Sequence, residues 1–323
     1  MKPHKLMPLA WCFWTSLSLA TTPGSNQDVS LETRTGILSG SLLVPLQLAK
    51  NAPVVLIIAG SGPTDRDGNS PAGVKAGTYK LIAESLAARG IASLRYDKLF
   101  SGTSRPKIIG EQDLRFDDYA NDAAAWLDYV KQDPKFKRFY VMGHSEGSLI
   151  GILAAQQSAV DGLISLSGAG RNIADALVDQ LRPKLTPAML TECQRVISEL
   201  RSGRRVAASA IQLPSEASKA LFRDSVQPYL ISWMKYDPSE EISKVKAPVL
   251  VMHGSTDLQV PLADAQRLAA AAGVKPVVLP EVNHLLKTAP LQAEANIATY
   301  GNPDLPLAPG VIKPLVTFIN NSK

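Results

Sequence analysis

The chain has 323 residues, of which 45% are hydrophobic, 20% are charged and 6% are aromatic. This composition excludes an intrinsically disordered chain and a collagen-like one. The formal net charge is +5, from 34 basic and 29 acidic residues. An excess this small, spread along the chain, gives no support for nucleic-acid binding.

The first 20 residues have the pattern of a signal peptide. Lys2 and Lys5 precede an uncharged apolar stretch that ends in Ser18-Leu19-Ala20, a small-x-small cleavage pattern. The stretch is short for a helix that spans a bilayer, and a polar segment follows it. We therefore predict cleavage after Ala20 and export to the periplasm or the extracellular space. An uncleaved membrane anchor is the alternative.

Cleavage at this position changes the set of reactive side chains. Lys2 and Lys5 are lost, so 34 basic residues less two leave 32 against 29 acidic ones, a net charge of +3. Only one cysteine remains, Cys193, so no internal disulfide is expected and stability must come from the core. The histidines that remain for any mechanism are His144, His253 and His284.

Strands and helices alternate over the first half of the mature chain. Strands are predicted over 29–33 and 38–44, around a turn at Gly36, and over 54–58, where an unbroken apolar run indicates burial on both faces. The next predicted elements are a helix over 79–89 that ends at Gly90, a strand over 91–96, a helix over 116–132, a strand over 139–143, a helix over 145–157 and a strand over 163–167.

Residues 169–246 break this alternation and are predicted to be mainly helical, with one helix beginning at Thr186-Pro187. The elements predicted after them are a strand over 249–252, a helix over 262–272, a strand over 277–279 and a terminal helix over 311–319. This order predicts an α/β fold over 21–323, in which helices flank a mainly parallel central sheet. Residues 169–246 are then a helical cap.

The strand over 139–143 leads directly into Gly143-His144-Ser145-Glu146-Gly147, and a helix follows. This is the G-x-S-x-G pattern in its strand–turn–helix context. The tight turn strains the backbone at the serine and requires small neighbours, here Gly143 and Gly147. Ser145 is therefore predicted to be a nucleophile, because the helix dipole and free N–H groups at this position stabilise negative charge.

A serine nucleophile needs a general base and a carboxylate that orients the base. His284 follows the last predicted strand and Asp257 follows the strand over 249–252, so both should lie beside Ser145 at one edge of the sheet. His144 lies in the turn itself and should point away from Ser145, whereas His253 ends a strand and should be packed or hydrogen-bonded there. The chain order Ser145, Asp257, His284 is that of one class of triad enzymes.

At these motifs the chain resembles the α/β-hydrolase family. The resemblance rests on Gly143–Gly147, His253–Asp257 and Asn283-His284. More narrowly, Ala59–Gly68 (AGSGPTDRDG) together with the GHSEG turn is similar to a group of bacterial serine esterases. Arg95–Lys98 (RYDK) resembles a strand-end motif of that group, although the group usually continues with Arg-Gly where this chain has Leu-Phe.

The resemblance also implies where the oxyanion of a tetrahedral intermediate binds. One donor is the backbone N–H of Glu146. The family's geometry places the second donor at Ser61, with Gly62 as the adjacent alternative.

An apolar cluster in the predicted cap is a candidate substrate pocket. It consists of Tyr229, Leu230, Trp233 and Met234. Packing of the cap onto the core is the alternative role for these side chains. The histidines and the cysteine have no metal-ligand spacing, and no dinucleotide or P-loop fingerprint is complete, so no metal and no cofactor are predicted.

Together these features predict an exported serine hydrolase that cleaves small-molecule carboxylic esters through a Ser-His-Asp triad and an acyl-enzyme intermediate. A serine peptidase, a thioesterase or an acyltransferase could use the same triad. The alternative from a different class is a binding protein that keeps the fold without catalysis. No nucleic-acid partner and no membrane insertion after signal cleavage are expected, and the sequence does not specify an oligomeric state.

Overall fold

The computed structural model describes residues 23–107, 110–213 and 221–322. The predicted signal peptide, residues 1–20, lies outside the described residues. The division of the chain into a signal peptide, a hydrolase domain over 21–323 and a cap over 169–246 therefore stays a prediction.

A nine-stranded sheet forms the centre of the described structure. Its strands are β1 (Gly24–Glu32), β2 (Gly36–Pro45), β3 (Ala52–Ile58), β6 (Ala92–Tyr96), β7 (Arg105–Pro106), β8 (Phe136–His144), β9 (Gly162–Leu166), β10 (Val249–Gly254) and β11 (Val277–Leu279), while β4 (Asn69–Ser70) and β5 (Val74–Lys75) form a separate hairpin. The order across the sheet is β1-β2-β6-β3-β8-β9-β10-β11, and β7 pairs with β2. Strand β2 is antiparallel to its neighbours, and every pair from β6 to β11 is parallel, which confirms the predicted sheet.

The α-helices with described bounds are α1 (Thr78–Ala87), α2 (Phe116–Lys131), α3 (Glu146–Gln157), α4 (Ile173–Leu181), α5 (Pro187–Arg201), α6 (Gln227–Trp233), α7 (Pro238–Ile242), α8 (Leu262–Ala271), α9 (Ala293–Ala298) and α10 (Ile312–Asn321). Short 3-10 helices cover Glu111–Asp113, Arg182–Lys184, Ala208–Ala210 and Thr299–Gly301. As predicted, α5 begins at Thr186-Pro187, and the Thr186 hydroxyl accepts the N–H of Met189. In the described ranges, no helix has both the length and the apolarity that crossing a bilayer requires.

Burial on both faces holds the central strands in place. Every residue of β3 is buried, as its unbroken apolar run predicts. On one face α2 and α3 contribute Trp126 and Ile150 to the core, and on the other α1 and α10 contribute Ile82 and Leu315. Burial of one large apolar side chain of this kind stabilises the fold by about 1.5–3 kcal/mol. The two layers of helices therefore fix the sheet whose edge carries the candidate site.

The parallel strands bring the predicted reactive residues to one edge of the sheet. Strands β8, β10 and β11 end shortly before Ser145, Asp257 and His284 respectively. In open α/β sheets this carboxyl edge is where ligands bind.

Helices α4 to α7 lie between β9 and β10, so the described part of the segment over 169–246 is mainly helical. We call this segment the insert. It packs on the core through Phe116 of α2, whose ring stacks on Trp233 of α6 with centroids 5.2 Å apart. The sequence did not predict β4, β5, β7 or α9, because strands of two residues and a helix of six are too short to show a hydrophobic period.

Candidate active site

Ser145 occupies a strained turn between β8 and α3. Its backbone has φ 55° and ψ −121°, and residues other than glycine rarely adopt a positive φ. A Cβ atom on Gly143 would lie 1.9 Å from the Gly147 carbonyl oxygen, and one on Gly147 would lie 2.5 Å from the Ile58 carbonyl oxygen. The turn therefore requires both glycines, as the sequence predicts.

His284 and Asp257 are in direct contact. His284 Nδ1 donates to Asp257 Oδ2 at 2.8 Å, and Asp257 Oδ1 accepts the backbone N–H groups of Gln259 and Val260 at 2.8 and 3.0 Å. Burial by itself raises the pKa of the Asp257 carboxyl, but the interaction with His284 and these hydrogen bonds outweigh it and lower the pKa to about 2. The ionised carboxylate can only accept, so the imidazole proton is held on Nδ1.

The loop that carries His284 is fixed by a buried asparagine. Asn283 is fully buried, and its Oδ1 accepts the backbone N–H groups of Leu285 and Lys287. Its Nδ2 donates to Thr299 Oγ1 at 2.7 Å. These bonds hold the loop in one conformation, so the imidazole does not depend on solvent for its orientation.

His144 connects the loop of His284 to the glycine loop after β3. Its Nε2 donates to the His284 carbonyl oxygen at 2.8 Å, and its Nδ1 therefore accepts the Tyr79 hydroxyl at 2.9 Å. The Tyr79 oxygen in turn accepts the backbone N–H of Gly60 at 2.9 Å. Burial lowers the pKa of His144 to about 3, so the ring is neutral. Both ring nitrogens thus have partners other than Ser145. The role of His144 in joining the two loops was not predicted.

The residues predicted to donate to the oxyanion line the same cavity as the nucleophile. A Cβ atom on Gly60 would lie 3.2 Å from the Ser145 Cβ, so the glycine loop passes directly against the serine. Ser61 and Glu146 line a cavity together with Ser145, and the adjacent alternative, Gly62, lines a second cavity that also contains Ser61 and Ser145. Glu146 is the first residue of α3, and the first N–H groups of a helix have no acceptor within it.

A buried ion pair lies behind these donors. Lys98 Nζ donates to the Gly60 carbonyl oxygen at 2.8 Å and to Glu146 Oε1 at 2.9 Å. The Tyr229 hydroxyl of α6 donates to the same Glu146 oxygen at 2.8 Å. The sequence motif around Lys98 resembles an esterase motif, but nothing in its spacing indicated these partners.

The two esterase-like motifs also contact each other. Asp97 accepts the backbone N–H of Arg66 at 2.7 Å and that of Thr103 at 2.8 Å, and Asp67 pairs with Arg95. A Cβ atom on Gly102 would lie 2.2 Å from the Asp97 carboxylate, which explains the glycine at that position. The motif after β6 thus holds the loop after β3, even though Leu99-Phe100 departs from the usual continuation.

Ser145 faces two cavities. The first, which we call the insert cavity, has a volume of about 220 Å³ and lies between Ser145 and Leu149 of the core and Ile173, Leu230 and Trp233 of the insert. The second, which we call the histidine-side cavity, has a volume of about 260 Å³. It is lined by Ser145, His284 and Tyr79 and by Val74 of the β4–β5 hairpin.

The four residues of the predicted substrate pocket occupy three different surroundings. Leu230 and Trp233 line the insert cavity. Tyr229 lines a neighbouring space with Lys98 and hydrogen-bonds to Glu146. Met234 is buried and lines none of these spaces, and its carbonyl accepts the side-chain amide of Asn172. The cluster therefore serves both as a cavity wall and as packing.

His253 is packed, as predicted. It is fully buried and its Nε2 donates to the Val260 carbonyl oxygen at 3.0 Å. Burial lowers its pKa. Cys193 is a buried free thiol on α5. Within the described ranges, no group of histidine, cysteine, aspartate and glutamate side chains has the arrangement of a metal site.

The sheet order, the strained serine turn and the aspartate–histidine pair define the α/β-hydrolase class. The model of a family described as serine aminopeptidase, S33 matches residues 72–287, which is more than half of the chain. The chain therefore belongs to this family of α/β-hydrolases.

Similar proteins include the esterase EstD of Thermotoga maritima, which is 25% identical over 240 residues covering 72% of this chain and 54% of the relative. The chain thus matches about half the length of that relative. Among solved structures, Est1E of Butyrivibrio proteoclasticus with bound ferulic acid is 20% identical with a TM-score of 0.56, covering 84% of this chain and 94% of that one. A hypothetical protein of Pseudomonas aeruginosa is 13% identical with a TM-score of 0.62, covering 99% and 100%. The solved structures support the fold, and the family match supports a hydrolase.

Proposed function

We propose that the protein is a serine esterase in which Ser145 is the nucleophile, His284 the general base and Asp257 the carboxylate that orients it. The observation that carries this proposal is the 2.8 Å hydrogen bond from His284 Nδ1 to the buried, ionised Asp257, in a loop that shares a cavity with the strained Ser145. With the proton on Nδ1, the neutral imidazole presents Nε2 as an acceptor for the proton of Ser145 Oγ.

In the proposed reaction Ser145 Oγ attacks the ester carbonyl while His284 takes its proton. The N–H groups of Glu146 and Ser61 stabilise the oxyanion of the tetrahedral intermediate. The protonated His284, stabilised by Asp257, then gives the proton to the departing alcohol, and an acyl-enzyme remains on Ser145. Water, activated by His284, hydrolyses this ester and restores the free serine.

The position of His284 supports a proposal for where the two halves of the substrate bind. A general acid must lie within hydrogen-bond reach of the atom that it protonates. His284 lines the histidine-side cavity and is not among the residues that line the insert cavity. We therefore place the leaving alcohol in the histidine-side cavity and the acyl group in the insert cavity, against Leu149 and Trp233.

The charges around the insert cavity favour an ester over the aminopeptidase activity that the family description names. An aminopeptidase has to bind the substrate's ammonium group, which calls for a carboxylate that is free to pair with it. Among the described lining residues, the carboxylates are Glu146 and Asp264, and both are already paired, with Lys98 and Arg171 respectively. A neutral acyl group fits this cavity without breaking either pair.

Substitution of the nucleophile tests the proposal. Ser145→Ala should abolish turnover of a short-chain aryl ester while leaving the circular dichroism spectrum unchanged. Ser243→Ala, whose hydroxyl only donates to the Glu240 carbonyl at the surface, is the matched control and should turn over like the wild type. Wild-type turnover by the folded Ser145→Ala variant would rule the mechanism out.

A panel of matched substrates separates esters from the other leaving groups that the same triad could handle. The ester, the thioester and the amide of one acyl group are compared by kcat/KM. We expect the ester to be preferred over the amide. Faster cleavage of the amide would instead favour a peptidase. Failure of a fluorophosphonate probe to label Ser145 would favour a binding protein without catalysis.

Export is the second part of the proposal. The lysines and the apolar stretch of residues 1–20 support secretion of the enzyme by cleavage after Ala20. Expression of the full chain in a bacterium, followed by fractionation and N-terminal sequencing, should give a periplasmic or extracellular protein that begins at Thr21. A protein that keeps its N-terminus and stays with the membrane would show an uncleaved anchor instead.

A further inference from the structure

The residues behind the proposed oxyanion hole form a buried chain of hydrogen bonds centred on Lys98. This lysine follows β6 and its side chain is only 1% exposed, while that of its partner Glu146 is 3% exposed. Its ammonium group lies 4.8 Å from the centre of the Tyr119 ring. The charge is therefore held away from bulk water by two hydrogen-bond acceptors and an aromatic face.

Both acceptors of Lys98 belong to the residues that provide the oxyanion donors. The Gly60 carbonyl and the Ser61 N–H are parts of the same trans peptide and point in opposite directions. A hydrogen bond from Lys98 to the Gly60 oxygen therefore turns the Ser61 N–H away from the lysine, toward the cavity with Ser145. The second acceptor is the carboxylate of Glu146, whose backbone N–H is the other donor.

A role in stability alone explains this arrangement poorly. The cost of taking two charges out of water often equals or exceeds their attraction, so an apolar pair of the same shape would be as stable. What an apolar pair could not supply is a directional bond to the Gly60 carbonyl. The Tyr229 hydroxyl extends the series of hydrogen bonds from Glu146 to helix α6 of the insert. The Glu146 carboxylate therefore connects the proposed oxyanion hole to a helix that lines the insert cavity.

We propose that Lys98 is a positioning residue that fixes the distance between the two oxyanion donors, and that Tyr229 aligns the insert with the same carboxylate. The inference rests on the proposed function, because it concerns the charge that forms during attack by Ser145. Lys98 touches neither the nucleophile nor the base. It acts through Gly60 and Glu146, so its loss should weaken binding of the transition state more than binding of the substrate.

The test uses a paired substitution, because Lys98→Met alone would leave a buried carboxylate without its cation. In Lys98→Met/Glu146→Gln both charges are removed together, and the glutamine oxygen can still accept the Tyr229 hydroxyl. The control is Lys244→Met/Glu241→Gln. It removes the ion pair between Glu241 of α7 and Lys244, which follows α7, and neither residue lines the insert cavity or the histidine-side cavity. Each variant is assayed for kcat and KM. Each is also assayed for inhibition by a trifluoromethyl ketone, which forms a tetrahedral adduct with an active serine, and by a ground-state analogue that forms no adduct.

Removing one oxyanion donor costs about 10²–10³-fold in kcat, and misplacing a donor costs less. We expect kcat of the paired Lys98 variant to fall about 10- to 100-fold, with KM within about threefold of the wild type. Affinity for the trifluoromethyl ketone should fall in parallel with kcat, while affinity for the ground-state analogue is kept. The conservative variant Lys98→Arg, which keeps donors for both acceptors, should recover part of the lost kcat.

Two results would overturn the inference. One is a kcat within about threefold of that of the Lys244 control. The other is an equal loss of affinity for the tetrahedral and the ground-state inhibitor, which would indicate a general loosening of the site. If the wild-type protein itself neither cleaved esters nor reacted with a fluorophosphonate, the proposed function would be wrong. If the wild type were active and the paired Lys98 variant equally active, only the inference about Lys98 would be wrong.

Discussion

Asp257→Asn exchanges one oxygen atom for an NH₂ group and so tests the orientation of His284 without creating a cavity. In the native site Asp257 Oδ1 accepts two backbone N–H groups, from Gln259 and Val260, at 2.8 and 3.0 Å. The amide oxygen of an asparagine must take this position, because an NH₂ group cannot accept. The NH₂ group then faces His284 Nδ1 and forces the ring proton onto Nε2, where it blocks proton transfer from Ser145.

The size of the effect follows from the two backbone donors. Restoring the productive form of His284 would require the amide to flip, which leaves both N–H groups unpaired at about 1–3 kcal/mol each. The total of about 2–6 kcal/mol corresponds to a loss between roughly 30-fold and 10⁴-fold in kcat.

The assay is steady-state hydrolysis of a short-chain aryl ester, with circular dichroism to confirm the fold. The control is Asp237→Asn, a carboxylate that accepts the Ser239 N–H at the start of α7. Full activity is expected of that control. A loss of less than tenfold in Asp257→Asn would show that the hydrogen bond to His284 does not set the tautomer, and the reasoning would be wrong.

Three further predictions concern stability, the serine turn and the cavity. Burial raises the pKa of Asp122 from 3.8 to about 6, so this group's contribution to stability is present below pH 3.8 and is lost as the pH rises through 6. The free energy of unfolding measured by urea denaturation should therefore fall by about 2 kcal/mol through this group between pH 4 and pH 7, and Asp122→Asn should lack this decrease. Gly147→Ala should destabilise the fold by about 1–3 kcal/mol and abolish ester turnover, because its Cβ would lie 2.5 Å from the Ile58 carbonyl oxygen; wild-type stability in chemical denaturation would contradict this. Leu177→Trp, in the wall of the insert cavity, should lower the ratio of kcat/KM for an octanoate ester over an acetate ester by roughly 15-fold, the effect of exposing about two methylene groups. An unchanged ratio would place the acyl group elsewhere.

Local patterns in the sequence were enough to predict the frame of the site. The apolar run of β3 and the G-x-S-x-G turn are features of neighbouring residues, and both are where the sequence places them. The pairing of Asp257 with His284 followed from topology, because residues after parallel strands meet at one edge of the sheet.

The contacts that connect the site could not be predicted in this way. Lys98 and Glu146 are 48 positions apart, and Tyr229 and Glu146 are 83 apart. A polar side chain on a buried element gives no periodic signal, so its partner is defined only when the sheet order and the packing of the insert are known. The same is true of His144, whose two ring nitrogens bond to Tyr79 and to the backbone of His284. The sequence indicates only that this histidine turns away from the serine.

The central claim is that Ser145 reacts with the acyl group and is activated by His284. Its most direct measurement is mass spectrometry of the protein after treatment with a fluorophosphonate probe. We predict one adduct per chain, on the peptide that contains Ser145, absent in Ser145→Ala and formed at least 10²-fold more slowly in His284→Ala. An adduct on another residue, or equal labelling rates in the wild type and His284→Ala, would contradict the mechanism.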